Sequence, residues 1–343
     1  MDVRVLSGGS EDALVWDAYV DRAAGATSDH LWGWRQVLSG AFGYRPHYLG
    51  AWEAGRMVGI LPLFHIPRGL GRSALSSIPF GNYGGICADS EEAALGLLNR
   101  AKRLLGELKG DYLELRHRSL LPVQELRPQR LYSRFTFPLY QTPERHFDQV
   151  SGSLRSKIRR SRRDGLSVVA SDDLDALSAI HTHTSRRHGT PCFPRRYFHG
   201  ILEAFSGSAR IYLVTLQGKA IAYSLCLFFK GSMVCQFNGA LESFFRYYPN
   251  ELLFWNAILE GCRNGLRQID YCRSRVDSGS AEFKRRLNFT EEPLGYQYFL
   301  PNGNRLPERN PSNPKLQWMI RAWRGLPLGL TRLLGPVAVR YLA

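Results

Sequence analysis

The chain has 343 residues, with 45 Lys and Arg against 30 Asp and Glu and a formal net charge of +15. With 44% hydrophobic residues it can bury a core, which excludes a disordered polycation, and its length predicts about two domains. Charge of this sign points to a phosphate-bearing partner: a nucleic acid, a nucleotide or an anionic membrane surface.

The first half reads as helix, hairpin, loop, helix, strand. Asp12 to Arg22 and Leu31 to Phe42 are short amphipathic segments. Tyr48 to Trp52 and Met57 to Leu63 are strand-like, joined at Glu53-Ala54-Gly55-Arg56. A Gly/Pro-rich loop ends in Pro79-Phe80-Gly81-Asn82-Tyr83-Gly84-Gly85. Glu91 to Lys109 has helical leucine spacing, Gly110 stops it, and Tyr112 to Leu115 is a strand. The Gly69-Leu70-Gly71 run lacks the later glycine of a dinucleotide fingerprint, and no Walker A loop or nucleophile elbow occurs.

The second half repeats this order. Ser153 to Arg163 is a basic helix and Asp172 to His188 a longer one. Arg210 to Leu216 and Ala220 to Phe229 form a hairpin, and Met233 to Gly239 adds a strand. Asn250 to Arg263 is helical, Gly265 ends it, and Gln268 to Cys272 is the next strand. Leu97 to Arg116 and Leu252 to Arg273 share a leucine-led helix, a glycine stop and an acidic/tyrosine strand. This predicts an internal duplication: domains at 1–140 and 141–300 with a cleft between them. Pro301-Asn302-Gly303-Asn304 and Pro311-Ser312-Asn313-Pro314 punctuate a linker in a third segment, 301–343. Its end, Lys315 to Ala343, mixes Trp318, Met319, Ile320, Trp323, Leu326 and Leu328 with Arg321, Arg324 and Arg332. That pattern fits an interfacial helix, and equally a helix folded back on the protein.

Met1-Asp2-Val3-Arg4 opens no signal peptide and no apolar run reaches spanning length. Cys87, Cys192, Cys226, Cys235, Cys262 and Cys272 form no C-x-x-C pair. The expectation is a cytoplasmic protein, free of disulfides, with peripheral contact to the inner membrane left open.

The chemistry concentrates in the second half. In the basic helix, Ser153 is expected to cap, Gly165 to end, and Leu154 and Ile158 to anchor. The other faces carry six Lys/Arg: Arg155, Lys157, Arg159, Arg160, Arg162 and Arg163. Such crowding is relieved by a polyanion, or by solvent alone if the face is merely wet. His181, His183 and His188 do not predict a metal, because His181 and His188 lie two turns apart and no acid follows in register. Cys192 lacks an evident activating base and is expected to pack. Asn250 is expected to cap the helix after Arg246-Tyr247-Tyr248-Pro249, leaving N–H groups free for an anion. From Asp270 to Lys284 the chain reads as a buried strand, a polar Gly/Ser turn and a helix start. This sets Arg273, Ser274 and Lys284 at the mouth of a sheet. A lysine there can support the oxyanion of an acyl-transfer intermediate, about 3 kcal/mol for one donor, or hold a donor phosphate. The plain alternative is a surface lysine paired with Glu282 or Asp277.

These segments resemble FemAB-related proteins, in particular the group associated with PEP-CTERM/exosortase and exopolysaccharide gene clusters. The likeness rests on Leu154-Arg155-Ser156-Lys157-Ile158-Arg159-Arg160 with Gly165-Leu166, and on Gly189-Thr190-Pro191 with Pro194 and Tyr197-Phe198. It continues through Tyr248-Pro249-Asn250 with Leu252-Leu253-Phe254-Trp255, and through Asp270-Tyr271, Arg273-Ser274, Asp277-Ser278-Gly279-Ser280 and Phe283-Lys284. Asn313-Pro314-Lys315 and Leu334-Gly335-Pro336 also look like that group's tail. The resemblance implies a mixed α/β fold of two tandem GNAT-like domains. Fem enzymes move an amino acid from aminoacyl-tRNA to an amine of a peptidoglycan precursor, and Lys284 matches the lysine of their Phe-Lys-x-x-aromatic-Gly motif. Here Leu287-Asn288 replaces aromatic-Gly; asparagine tolerates left-handed backbone, so the turn is expected to persist.

The expectation is therefore an N-acyltransferase acting on an amine of a cell-envelope or exopolysaccharide precursor. Lys284 would support charge, and Asp277 and Tyr248 would orient the acceptor. Arg155, Lys157, Arg159, Arg160, Asn250, Arg273 and Ser274 would hold phosphate. No metal or tightly bound cofactor is expected; the donor is aminoacyl-tRNA or acyl-CoA, and residues 315–343 can meet an anionic membrane. The alternatives are an acyl-CoA-dependent GNAT acetyltransferase acting on a small amine or amino sugar, a non-catalytic nucleic-acid-binding protein, and a membrane-docked polysaccharide assembly factor.

Overall fold

The fold follows from two runs of alternating strands, each ending in a helix that carries the chain across to a parallel neighbour. The structure is a computed structural model and describes residues 1–69, 71–140, 142–301, 306 and 314–342, with only the backbone of 314–316. The two predicted linker motifs lie largely outside the described residues.

The chain opens with β1 (Asp2–Val5), α1 (Ser10–Arg22) and α2 (Trp34–Phe42). β2 (Arg45–Glu53) and β3 (Arg56–Gly69) form a hairpin whose turn puts Ala54 and Gly55 at φ 47° and 78°, the twist a two-residue turn needs. β4 (Arg72–Ser77), the two-residue β5 (Cys87–Ala88) and α3 (Glu91–Glu107) follow. Ser90 caps α3 through Ala93 N, 3.1 Å away, and the helix buries Leu97, Leu98, Leu104 and Leu105. It delivers the chain to β6 (Leu113–His117), parallel to β4, and then to β7 (Arg127–Gln129).

β8 (Tyr132–Pro138) belongs to a second sheet. That unit continues with α4 (Pro143–Gln149), the basic helix α5 (Gly152–Arg163), β9 (Leu166–Ser171), α6 (Leu174–His188) and α7 (Arg195–Ala204). β10 (Ala209–Leu216), β11 (Lys219–Phe229) and β12 (Ser232–Ala240) form an antiparallel meander. α8 (Pro249–Arg263) crosses to β13 (Gln268–Arg275), parallel to β12, and α9 (Gly279–Arg286) and β14 (Thr290–Pro293) follow. β15 (Gly295–Phe299) returns to the first sheet. The last helices are α10 (Pro314–Gly325) and α11 (Leu328–Ala338).

The sheets run β1-β2-β3-β4-β6-β15-β7, with β5 beside β3, and β14-β8-β13-β12-β11-β10-β9. Read in opposite directions the orders match strand for strand, as an internal duplication requires. Each copy packs its crossover helix on its own core: Leu49, Leu61, Leu97 and Leu113 in the first, Ile221, Phe254, Ile258 and Ile269 in the second.

The expected borders at 140 and 300 do not coincide with the compact units. One unit comprises Met1–Tyr132, Pro293–Arg309 and Arg340–Ala343, the other Ser133–Glu292 and Asn310–Val339. The difference is a reciprocal strand exchange. β15, from late in the chain, lies between β6 and β7, and β8, from the first half, lies between β14 and β13. Fragments 1–140 and 141–300 would each miss or misplace an interior strand. Neither is expected to give a cooperative urea transition by far-UV circular dichroism, whereas the intact chain should.

The end of the chain is not a separate tail. In the second unit it packs along α6: Arg186 Nε donates to Leu326 O at 2.6 Å and Cys192 Sγ to Thr331 O at 3.5 Å. A Cβ at Gly189, which sits at φ 74°, would meet Ile320 Cγ2 at 2.5 Å, so only glycine allows this approach.

Candidate active site

β12 and β13 pair over three residues each, Ser232 with Gln268 to Val234 with Asp270, and the described register stops there. Beyond it β12 runs on to Ala240 and β13 to Arg275 with no described backbone pairing between them, so the ladder opens before either strand ends, although Cys272 Sγ still lies 3.9 Å from Gln236 Oε1. The cause lies in β13. Cys272 is at φ 56°, a left-handed kink in mid-strand, and its N–H donates to Asp270 Oδ1 at 2.7 Å. Asp270 is in turn fixed by Arg134 Nε at 2.8 Å, from β8.

Lys284 is seated on this kink. Ser278 caps α9 through Ala281 N at 3.2 Å, and two turns of helix carry Lys284 back under β13. Its ammonium donates to Tyr271 O at 2.5 Å and Ser274 Oγ at 2.8 Å, with a long contact to Cys272 O at 3.5 Å. It also lies 5.0 Å from the Phe135 ring centroid. The residue is 5% exposed and does not pair with Glu282 or Asp277, which removes the surface-lysine reading. Burial pushes its pKa down to about 8, opposed by Cys272 and Asp270. Asn288 takes φ 60°, so the left-handed turn persists without glycine.

A second group gathers where α8 begins. Pro249 is the first helical residue, so the cap is Tyr248, left-handed at φ 59°, rather than Asn250, which is second in the helix. Proline explains the shift: it has no N–H to lose and its φ suits the first turn. Lys157 Nζ and the Arg160 guanidinium lie 5.5 and 5.6 Å from the Tyr248 ring centroid, and Lys157 contacts Glu251 at 3.3 Å. α8 follows β12 and α9 follows β13, so both helix starts belong to the strand ends that part. Open α/β sheets bind ligands at this end.

Other expected site residues are placed differently. Ser151, not Ser153, caps α5, accepting from Leu154 N at 3.2 Å. Arg155 is committed to the backbone, donating to Phe147 O, Asp148 O and Val150 O at 3.3, 2.7 and 3.0 Å. Arg159 lies over the Phe147 ring, 5.3 Å from its centroid. Asp277 is exposed and ion-paired with Arg275, which holds its carboxyl below the usual range. Ser274 joins Lys284 to Ser280 at 3.0 Å, while Arg273 is half-buried on β13 just past the kink. Asp270 and Arg134 were missed; the acid at the end of the pairing was a signal, but its partner stands 136 positions away.

His181 is a core residue: it meets Tyr223 OH at 2.9 Å, and burial lowers its pKa to about 3. Among the described residues no group of three or more His, Cys, Asp and Glu is arranged to hold a metal ion. Burial raises the Cys192 thiol, as packing rather than nucleophilic use would have it. A hollow of about 200 Å³ opens beside the end of α9, between Arg286, Asn288 and Thr290 and the Ser151 end of α5. Lys284 is not in its wall.

The first unit repeats the parallel pair but closes it. β4 and β6 pair at Leu75 with Leu113 and at Ser76 with Glu114. Past Ser77 the chain turns back through Ile78 and Phe80, at φ 52° and 64°. Buried Arg116 ties this turn down, donating to Ile78 O and Gly81 O at 3.1 Å each, and it also bridges to Glu114 at 3.1 Å. Asp29 Oδ2 accepts from Asn82 N and Tyr83 N at 2.7 Å each. Left-handed backbone at a β-branched residue is costly, and this hydrogen-bond set holds it. The strand ends of the first unit are thus covered by its own chain.

A meander, a crossover helix and a parting parallel pair define the GNAT fold, here in tandem. Residues 150–285 match the family model for an acetyltransferase (GNAT) domain. The second unit therefore carries an acyltransferase domain. Among solved structures, FemX is similar over 88% of this chain and 98% of its own, with a TM-score of 0.67 at 14% identity. A tandem GNAT protein from the clavulanic acid biosynthesis pathway covers 87% of this chain and 97% of its own, with a TM-score of 0.56 at 12% identity. L-PGS from Bacillus licheniformis covers 96% of this chain and 98% of its own, with a TM-score of 0.55 at 14% identity. At these identities the likeness is one of fold. No curated protein matches the chain in sequence.

Proposed function

We propose that this acyltransferase moves an aminoacyl or acyl group onto an amine of a cell-envelope or exopolysaccharide precursor, with the second unit as the catalytic one. The observation that carries the reading is the parting of β12 from β13 with the Lys284 ammonium seated at the kink. The donor's acyl arm lies between the parted strands. Its phosphate lies toward the start of α8, where Lys157 and Arg160 gather about Tyr248. The neutral acceptor amine attacks the acyl carbon. A C–N bond forms, the donor's C–S or C–O bond breaks, and the proton lost by the amine ends on the departing thiolate or alkoxide, directly or through water.

Lys284 supports the oxygen as it gains charge. Its 3.5 Å contact to Cys272 O is the weakest of the three, so that N–H is the one to redirect. Tyr248 is retained as an orienting residue for the acceptor. Arg155 is left out because three backbone carbonyls hold its guanidinium, whereas Lys157 and Arg160 each meet a single carboxylate, and Asp277 because it is exposed and paired with Arg275.

The tRNA reading draws on the resemblance of the Phe283-Lys284 segment to the Fem motif, and the acyl-CoA reading on the matched acetyltransferase domain. The two are separated by incubating the intact protein with aminoacyl-tRNA or acetyl-CoA and a panel of amines, then scoring deacylated tRNA against free CoA. Amine-dependent release from one donor identifies it. Release from neither, with nucleic acid bound in a salt-dependent manner, would favour a binding protein instead.

A further inference from the structure

The C-terminal helices hold the clearest feature that acyl transfer does not use. α11 docks through one edge: Thr331 and Gly335, four apart, are buried, and a Cβ at Gly335 would meet Cys192 Sγ at 2.6 Å. In the rest of the helix Arg332 is the one charged side chain, and most of the apolar positions are uncovered. Leu330, Leu333, Leu334 and Val337 recur at helical spacing along one stripe and are exposed, Leu333 by 71% and Val337 by 64%. On α10, Trp318 is 71% and Met319 55% exposed. A soluble helix would place polar residues here.

The charge around this stripe says what covers it. Residues 314–343 contain Lys315, Arg321, Arg324, Arg332 and Arg340 and no Asp or Glu. Arg321 and Arg332 are exposed on the same two helices. A second copy would bring equal positive charge against this surface, whereas an anionic bilayer brings the opposite charge and an apolar interior. No helix among the described residues is long and apolar enough to cross a membrane, so the helices would lie along the surface.

We propose that α10 and α11 form a docking face for an anionic lipid surface, inserting Trp318, Leu330, Leu333, Leu334 and Val337 between headgroups while Arg321 and Arg332 meet phosphate. The face is fixed to the enzyme through α6, so the protein stays folded off the membrane. This inference does not depend on which donor is used, or on whether Lys284 is catalytic.

The test is flotation of the intact protein with phosphatidylcholine vesicles made with and without phosphatidylglycerol. Recovery should be at least about tenfold higher with the anionic lipid and should fall as salt rises. The L333E/V337E variant changes only exposed positions and should lose most of this binding with an unchanged circular dichroism spectrum. R321Q/R332Q should lose the salt dependence. If the glutamate variant misfolds, quenching by brominated anionic lipid reads the same contact in the unaltered protein, and the quenched fraction should disappear in W318F. Equal recovery on neutral and anionic vesicles would overturn the proposal, as would binding or quenching that these substitutions leave unchanged. A dimer that L333E/V337E converts to monomer would overturn it too, by showing a second copy on the stripe.

Discussion

Replacing Lys284 with methionine is expected to lower turnover by about 10²- to 10³-fold while leaving the fold intact, because one well-placed donor to a developing oxyanion contributes about that much. Methionine nearly fills the space of the lysine stem. It removes a buried charge and leaves Ser274 its contact with Ser280, so the lost bonds to Tyr271 O and Cys272 O are partly offset. The kinetic form separates two roles. A group acting in the transition state lowers kcat and kcat/KM together, whereas one that only shapes the donor cleft raises KM. Steady-state kinetics with varied donor, alongside a urea midpoint, makes the distinction. Unchanged turnover would remove Lys284 from the mechanism.

The second expected result is a fall in rate as pH rises through about 8. The ammonium is the working form, and burial has brought its pKa down to about 8. An exposed lysine would keep its charge to about pH 10. The acceptor amine must be neutral, so the low-pH limb belongs to the acceptor and the high-pH limb to Lys284. In K284M the residual activity should lose the high-pH limb. Stability carries the same signature. The folded-state pKa is below the unfolded value, so between about pH 8 and pH 10.5 the unfolded chain binds more protons and stability rises with pH. The rise approaches about 3 kcal/mol over that window. Buried tyrosines such as Tyr223 are shifted upward and act in the opposite direction, so the quantity to measure is the difference between wild type and K284M across pH. A flat difference would place Lys284 in water.

Much of this architecture is legible in the sequence. Leucine spacing over Glu91 to Lys109 and the apolar runs of β2, β3, β10 and β11 follow directly from burial, and these elements appear close to where they were read, except that β3 continues past Leu63 to Gly69. The strand-turn-helix around Lys284 and the left-handed Asn288 are local chemistry and also came through. β8 and β15 were not read as strands, so their exchange was hidden; a strand pattern in any case reports which face is buried, not which sheet receives it. Arg155 was misread for a related reason: its three carbonyl acceptors come from the chain just before the helix, where composition gives no hint of unpaired groups. The kink at Cys272 has no glycine or proline to mark it. It depends on Asp270, itself held by Arg134 from the other half of the chain.

The exposed part of α5 bears on kinetics more than on affinity. Arg162 and Arg163 stay in water, the side chain of Arg163 77% exposed, while Arg155 is spent internally. Charges in water contribute little to a formed complex, but their field reaches roughly 8 Å at physiological ionic strength. A polyanionic donor approaching this helix would be steered before it makes contact. Added salt should then slow its arrival more than it hastens its departure.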